Sequence, residues 1–209
     1  MNNTLYVDST NCPTELCRIA AKYNTDKSPF TPNSPFAGHR KGYTAVYEML
    51  FSSMRNKLIN FCEIGIEDGG SLQTFSEYFP NARLFGMELL ENKIELCENL
   101  NLPRATILKT DVSDKNLLNS TFRSTNQMFD IIIDDSSHQK DHQRNIIEVA
   151  SKYLKPSGIM IVEDLFRNDE ENIFDSVVKD QFSFHCFITC HHENRISWDN
   201  DKIWFGIKR

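Results

Sequence analysis

A chain of 209 residues with 40% hydrophobic and 25% charged residues has the composition of a globular protein with one sizeable core rather than two. The net charge of -6 argues against reliance on long stretches of phosphate backbone, so no nucleic-acid partner is expected, and no apolar run approaches the roughly 20 residues that span a bilayer. The start, MNNTLYVDST, lacks the basic residues and apolar run of a secretion signal, and the six scattered cysteines show no CxxC pairing, so a soluble cytoplasmic protein with reduced thiols is expected.

Residues 1–57 carry two helix-like pieces, TELCRIAAKYN and YTAVYEMLFSSMR, on either side of an irregular stretch, TDKSPFTPNSPFAGHRKG, that holds three of the seven prolines. Its FAGHRKGYT end gathers aromatic, basic and hydroxyl groups, which suits a lid better than a linker. Residues 1–57 are therefore expected to form a helical cap packed on a core of 58–209, the whole being one compact domain.

From Asn60 onward, strand-length apolar runs alternate with helical periods, the pattern of an α/β fold. The predicted strands cover 58–65, 82–89, 105–112, 129–135, 158–165, 184–192 and 202–209. Predicted helices fill Leu72 to Tyr78, Glu91 to Leu100, Asp114 to Asn119, Asp141 to Leu154 (closed by KPSG) and Glu170 to Asp180. Only ENRISWDND separates the last two strands, too short for a helical crossover, so that pair should be antiparallel. The expected architecture is a Rossmann-like, seven-stranded, mainly parallel sheet with its last strand antiparallel and helices on both faces.

Three successive strands end in chemistry. FCEIGIEDGGS leaves a strand at Glu63, turns through Gly65 and the Gly69-Gly70 pair, and enters a helix at Ser71 without the GxGxxG spacing of a pyrophosphate site. Glu88 ends the next strand where an acid could take ribose hydroxyls, and Asp111 ends the third where it could reach an adenine amino group. An acid at a strand end often only caps the next helix. The series in register suits a ligand with ribose and adenine but no phosphate, and S-adenosylmethionine is the common one.

Two more strands end in doubled acids, IIIDDSSH and IMIVEDL, which bring Asp134, Asp135, Glu163 and Asp164 to one edge. Four carboxylates stay ionised there only if a cation compensates them, and hard oxygen donors select Mg²⁺, Mn²⁺ or Ca²⁺ over zinc. Strand alternation places Asp134 and Asp135 on opposite sides and does not say which faces the cation. His138 stands beside this edge and can accept a proton near neutral pH. His191 could reach the same edge or simply end its strand, and Trp198 could stack on a sugar face or cover the core.

Taken together, AAKYNTDKS, HRKGYTAVYEML, FCEIGIEDGGSLQTFSEYFPNARLFGMEL, FDIIIDDSSH and LKPSGIMIVEDL resemble the class I S-adenosylmethionine-dependent O-methyltransferases of the macrocin and mycinamicin sugar type, over roughly residues 17 to 165. The resemblance implies a divalent-metal-dependent enzyme, using Mg²⁺ or Mn²⁺, that methylates a sugar hydroxyl whose vicinal oxygens bind the metal. By motif it puts the metal on Asp135, Glu163 and Asp164, the general base on His138, and cofactor contacts on Glu63, Gly65, Ser71, Glu88 and Asp111, with Asp134 near the reacting methyl. Thr25, Asp26 and Lys27, with Gly42, Tyr43 and Thr44, match the segment that covers the family's active site. Ser136 stands where the family usually has glycine, and Glu88 where many members have aspartate. A deoxysugar such as rhamnose, in a glycan or glycoside, is the expected acceptor, and the setting a homo-oligomer or a larger glycan-building polypeptide. The alternatives are a methyltransferase for catechol-like small molecules and a non-catalytic nucleoside-binding module.

Overall fold

The structure, a computed structural model, describes residues 3–32, 39–169 and 172–209. Residues 36–38 of FAGHRKGYT and the start of the helix expected at 170–180 lie outside these residues. Along the chain run β1 (Asn3–Asp8), α1 (Glu15–Lys22), α2 (Tyr43–Phe51), β2 (Asn60–Ile64), α3 (Gly70–Tyr78), β3 (Arg83–Glu88), α4 (Glu91–Asn99), β4 (Ala105–Lys109), α5 (Lys115–Ser124), β5 (Phe129–Asp134), α6 (Lys140–Ala150), β6 (Leu154–Leu165), α7 (Asp175–Val178), β7 (Phe182–His191) and β8 (Lys202–Lys208).

The sheet order is β1-β7-β8-β6-β5-β2-β3-β4. Every pairing is parallel except those of β8, which runs antiparallel to both β6 and β7. The sheet thus has eight strands, not the seven expected. The extra one is β1, which lies along β7 and draws the N-terminal segment into the sheet edge. Central strands read as unbroken apolar runs because both faces are covered. Ile131 and Ile133 point into one core with Phe61, Leu16, Tyr47 and Phe75, while Ile132 points into the other with Phe122, Ile146 and Ile147. Helices α1 to α3 cover the first face, and α5 and α6 the second.

Other departures are local. Helix α6 stops at Ala150 and a 3-10 turn carries the chain to Leu154, which already pairs with Phe129, so the KPSG segment is a bulge inside β6 and not a helix-closing turn. Helix α5 runs on to Ser124 because Leu118, Thr121 and Phe122 form a buried stripe, and its N-cap Asp114 accepts from the amides of Asn116 and Leu117. Helix α7 spans only four residues.

β2 is flanked by β3 on one side and β5 on the other, and the chain reverses its direction of progress between them. Crevices at the carboxyl ends of strands open at such switch points.

Candidate active site

The crevice exists because of one glycine. Gly65 follows β2 with φ +82°, and a Cβ there would lie 2.2 Å from the carbonyl oxygen of Asp135. Only glycine lets the β2 and β5 ends close on each other this tightly, with Asp135 N–H donating to the Ile64 carbonyl at 2.8 Å. Two cavities adjoin the closure, about 360 Å³ and about 270 Å³, and both are lined by Gly65, Glu67, Asp135 and Ser136.

The smaller cavity has Met87, Leu89, Leu90 and Val112 as apolar walls and Glu88 at its edge. Glu88 is buried and braces the turn: Oε2 accepts from the amides of Ile66 and Glu67 at 3.2 and 3.3 Å, and Oε1 from those of Leu89 and Leu90 at 2.8 and 3.1 Å. Asp111, expected to face adenine, does not line the cavity. Strand β4 ends at Lys109, so Asp111 falls in the following turn, where its Oδ1 takes the Ser113 amide and hydroxyl at 2.8 and 2.6 Å, and these bonds lower its pKa. Thr110, one residue earlier, borders the cavity instead, with its hydroxyl buried and unpartnered.

The larger cavity is lined by Thr25, Asp26, His39, Ser71, His138 and Asp164 among others. Its floor is the carboxylate edge. Lys27, 2% exposed, places its ammonium 2.7 Å from Glu163 Oε2, in contact with Asp135 Oδ2 and 3.7 Å from Glu63 Oε1. A second buried lysine, Lys41, contacts Asp164 Oδ1, which also accepts from the Tyr43 hydroxyl at 2.6 Å. With Oδ1 so occupied, Asp164 turns Oδ2 toward His138 Nε2 at 3.4 Å. Burial pushes Asp164 up, but Lys41 and His138 outweigh it and its pKa is lowered. Both tyrosines here, Tyr43 and Tyr47, have pKa values pushed well up by burial and by the adjoining carboxylates, so they act as donors.

Asp135, His138 and Asp164 present ligand atoms within 4.8 Å of one another. The two carboxylates that open on this polar cleft are hard oxygen donors that fit a divalent cation, with the imidazole beside them. Glu163, expected as a third ligand, lies behind them instead: at 1% exposure it needs donors, and Tyr47 hydroxyl takes Oε1 while Lys27 takes Oε2. Burial and then Asp135 raise its pKa well above the carboxylate range. Asp134 also stays out of the cleft. It caps the turn through Ser136, whose amide and hydroxyl donate to Oδ1 at 3.1 and 2.6 Å, and burial lifts its carboxyl to about 6. Glu63 accepts from Ser71 Oγ at 2.5 Å, keeps Oε2 buried without a partner, and is pushed by burial to about 7. Asp26, beside Lys27, is raised to about 6 by burial.

The remaining expected residues divide. Thr25 and Asp26 line the cleft, Tyr43 reaches Asp164, and Thr44 is turned away onto Cys17 Sγ at 3.1 Å. His191 stacks on Tyr6 at 5.6 Å, away from the cleft. Trp198 is 73% exposed and meets His39, a cleft residue, edge to face at 4.5 Å. Sequence reasoning missed Lys41, Tyr47, His39 and Thr110. His39 and Lys41 lie in the stretch read as a lid without being singled out, Tyr47 lies inside a helix-like piece, and Thr110 sits one residue from the acid that drew attention. His138 and Asp164 both adopt the left-handed region, at φ 57° and 58°, a backbone cost of about 1–3 kcal/mol each that concentrates at functional sites.

Comparison with known proteins adds three findings. A family model described as FtsJ-like methyltransferase matches residues 45–197. A tetracenomycin rhamnosyl 3'-O-methyltransferase of Streptomyces olivaceus is 28% identical over 165 residues, and the mycinamicin VI 2''-O-methyltransferase of Micromonospora griseorubida 25% over 159. These matches cover 76% and 73% of this chain but only 38% and 36% of the relatives, so the chain spans about two fifths of their length. Among solved structures, MycE, a methyltransferase of the mycinamycin pathway crystallised with Mg and SAH, superposes with a TM-score of 0.68 at 20% identity, over 93% of this chain and 55% of that one.

Proposed function

Because the chain belongs to the FtsJ-like methyltransferase family, we propose that it transfers a methyl group from S-adenosylmethionine to a sugar hydroxyl in a reaction that depends on a divalent metal. The observation that carries this reading is the meeting of Asp135, His138 and Asp164 at the mouth of a polar cleft, beside a cavity with apolar walls and a buried free hydroxyl. Curated relatives named for methylation of rhamnosyl and other sugar hydroxyls support the acceptor class, and the Mg and SAH in the MycE crystals support the cofactors.

The adenosine part would lie in the smaller cavity, between Leu89 and Val112, with Thr110 Oγ1 as an unspent hydrogen-bonding group and Glu88 at the ribose end. The sulfonium side would face the Gly65 turn and the Ser71 end of α3. Asp135 and Asp164 would hold Mg²⁺ or Mn²⁺, with Glu163 as the carboxylate behind them; when bound, the ion makes a coordinated sugar hydroxyl more acidic. His138, whose Nε2 lies 3.4 Å from Asp164 Oδ2, takes the hydroxyl proton, and the negative charge of the carboxylates beside it favours the imidazolium that results. The cap of 1–57 supplies Thr25, Asp26 and His39 to the cleft wall, which aligns acceptor and donor.

The test is release of S-adenosylhomocysteine when the protein is given S-adenosylmethionine with rhamnosides and nucleotide-linked deoxysugars, with and without EDTA. Turnover that requires a sugar and stops with EDTA upholds the reading. Turnover with catechols alone, or none with bound S-adenosylmethionine, overturns it.

A further inference from the structure

We propose that Lys27 is an internal counter-cation that competes with the divalent metal for the oxygens of Asp135 and Glu163, and so sets how tightly this site holds its ion. This rests on the metal-dependent reading above. Three carboxylates, Glu63, Asp135 and Glu163, converge on the Lys27 ammonium, and two of them contact it directly. Buried carboxylates at such spacing repel unless a cation lies among them. Lys27 is that cation.

The two lysines of the cap differ in what they occupy. Lys41 holds Asp164 Oδ1 and the Asn200 carbonyl, and leaves Oδ2 turned to the opening, so it orients one ligand. Lys27 bridges Asp135 and Glu163 themselves. A divalent ion that engages Glu163 Oε2 must take it from Lys27, and one that engages only Asp135 and Asp164 feels the ammonium's like charge a few ångströms behind. The backbone of Lys27 cannot retreat easily: its carbonyl accepts the Thr44 amide at 3.2 Å, and the neighbouring Asp26 carbonyl accepts the Lys41 amide at 2.7 Å. What can yield is the side chain, by rotating toward Glu63, whose Oε2 is buried without a partner.

Mn²⁺ binding by the full chain, followed by the EPR signal of free Mn²⁺, tests the proposal on wild type and Lys27→Met. Lys27→Met is expected to bind Mn²⁺ about tenfold or more tighter, since removal of a like charge at this range outweighs the loss of an orienting contact. Its thermal midpoint should also rise more on addition of Mn²⁺ than that of wild type. Equal or weaker Mn²⁺ binding by Lys27→Met overturns the proposal and leaves the metal reading standing. Failure of both proteins to bind Mn²⁺ overturns the metal reading and the proposal with it. Should Lys27→Met not fold, acetylation of Lys27 in the wild-type protein, quantified by mass spectrometry, decides the matter. Faster acetylation with Mn²⁺ supports displacement of the ammonium; an unchanged rate overturns it.

Discussion

His138 and Glu63 show what single residues contribute. His138 lies at the rim with a 40% exposed side chain, so its replacement disturbs little packing. His138→Gln is expected to lower kcat by about 10²–10⁴-fold and leave S-adenosylmethionine binding unchanged, measured by single-turnover assay and calorimetry. Glu63 acts through its protonation. Burial raises its carboxyl from 4.5 to about 7 in the folded protein, so the folded state holds the proton more tightly than the unfolded chain. The stability this confers is whole below the unfolded value and is lost as pH rises through about 7. Glu63→Gln, neutral throughout, should gain thermal midpoint relative to wild type between about pH 5 and about pH 8, read from melting curves. At this scale the sequence was legible where a strand end fixed a position, as at Gly65 and Asp164, and at Asp135 only through the family resemblance, since alternation does not choose between it and Asp134. It was not legible where one residue decides the side, as at Thr110 and Asp111, nor for Lys41 or for the burial of Lys27, which was expected only in the covering segment, because a lysine's burial depends on carboxylates more than a hundred residues away.

At the scale of elements, long apolar runs identified β2, β5 and the centre of β6, since a strand buried on both faces has no other reading here. Ends and edges were less readable. β1 was missed because NTLYVD is short and half exposed, with Tyr6 at 62%. KPSG was read as a turn because proline and glycine rarely continue a strand, and the bulge absorbs both. β1 gives a clean test of edge pairing. Ser9 N–H donates to the His191 carbonyl at 2.9 Å, and Val7, two residues earlier, presents its N–H on the same side. Val7→Pro should therefore cost about 1–3 kcal/mol by denaturant melting. S-adenosylmethionine affinity should not change, because β7, β8, β6 and β5 lie between β1 and β2.

For the molecule as a whole, the cap is part of the core. Leu16, Ile19, Tyr43, Val46, Tyr47 and Phe51 are all buried in the cluster that holds Phe61, Ile131 and Ile161. Each such side chain contributes about 1.5–3 kcal/mol, so the six together rival the whole stability of a domain, about 5–15 kcal/mol. A chain that begins at residue 58 is expected to bind hydrophobic dyes and to lack a cooperative melt, whereas a separable lid would leave a folded core with normal S-adenosylmethionine binding. No helix among the described residues is long and apolar enough to cross a membrane.

The chain's two tryptophans sit in opposite surroundings. Trp204 is fully buried, packed against Phe174 and Phe182 at 5.8 and 5.2 Å, while Trp198 stands in water with one edge on His39 at the wall of the cleft. The protein is therefore expected to emit light from two separable sources. The blue, quencher-resistant component comes from the far side of the sheet and reports whether the fold is intact. The red component, open to iodide, comes from the cleft mouth. A sugar that settles against Trp198 would shift only the red emission, so acceptors can be ranked by fluorescence on unlabelled protein before any methyl group has moved.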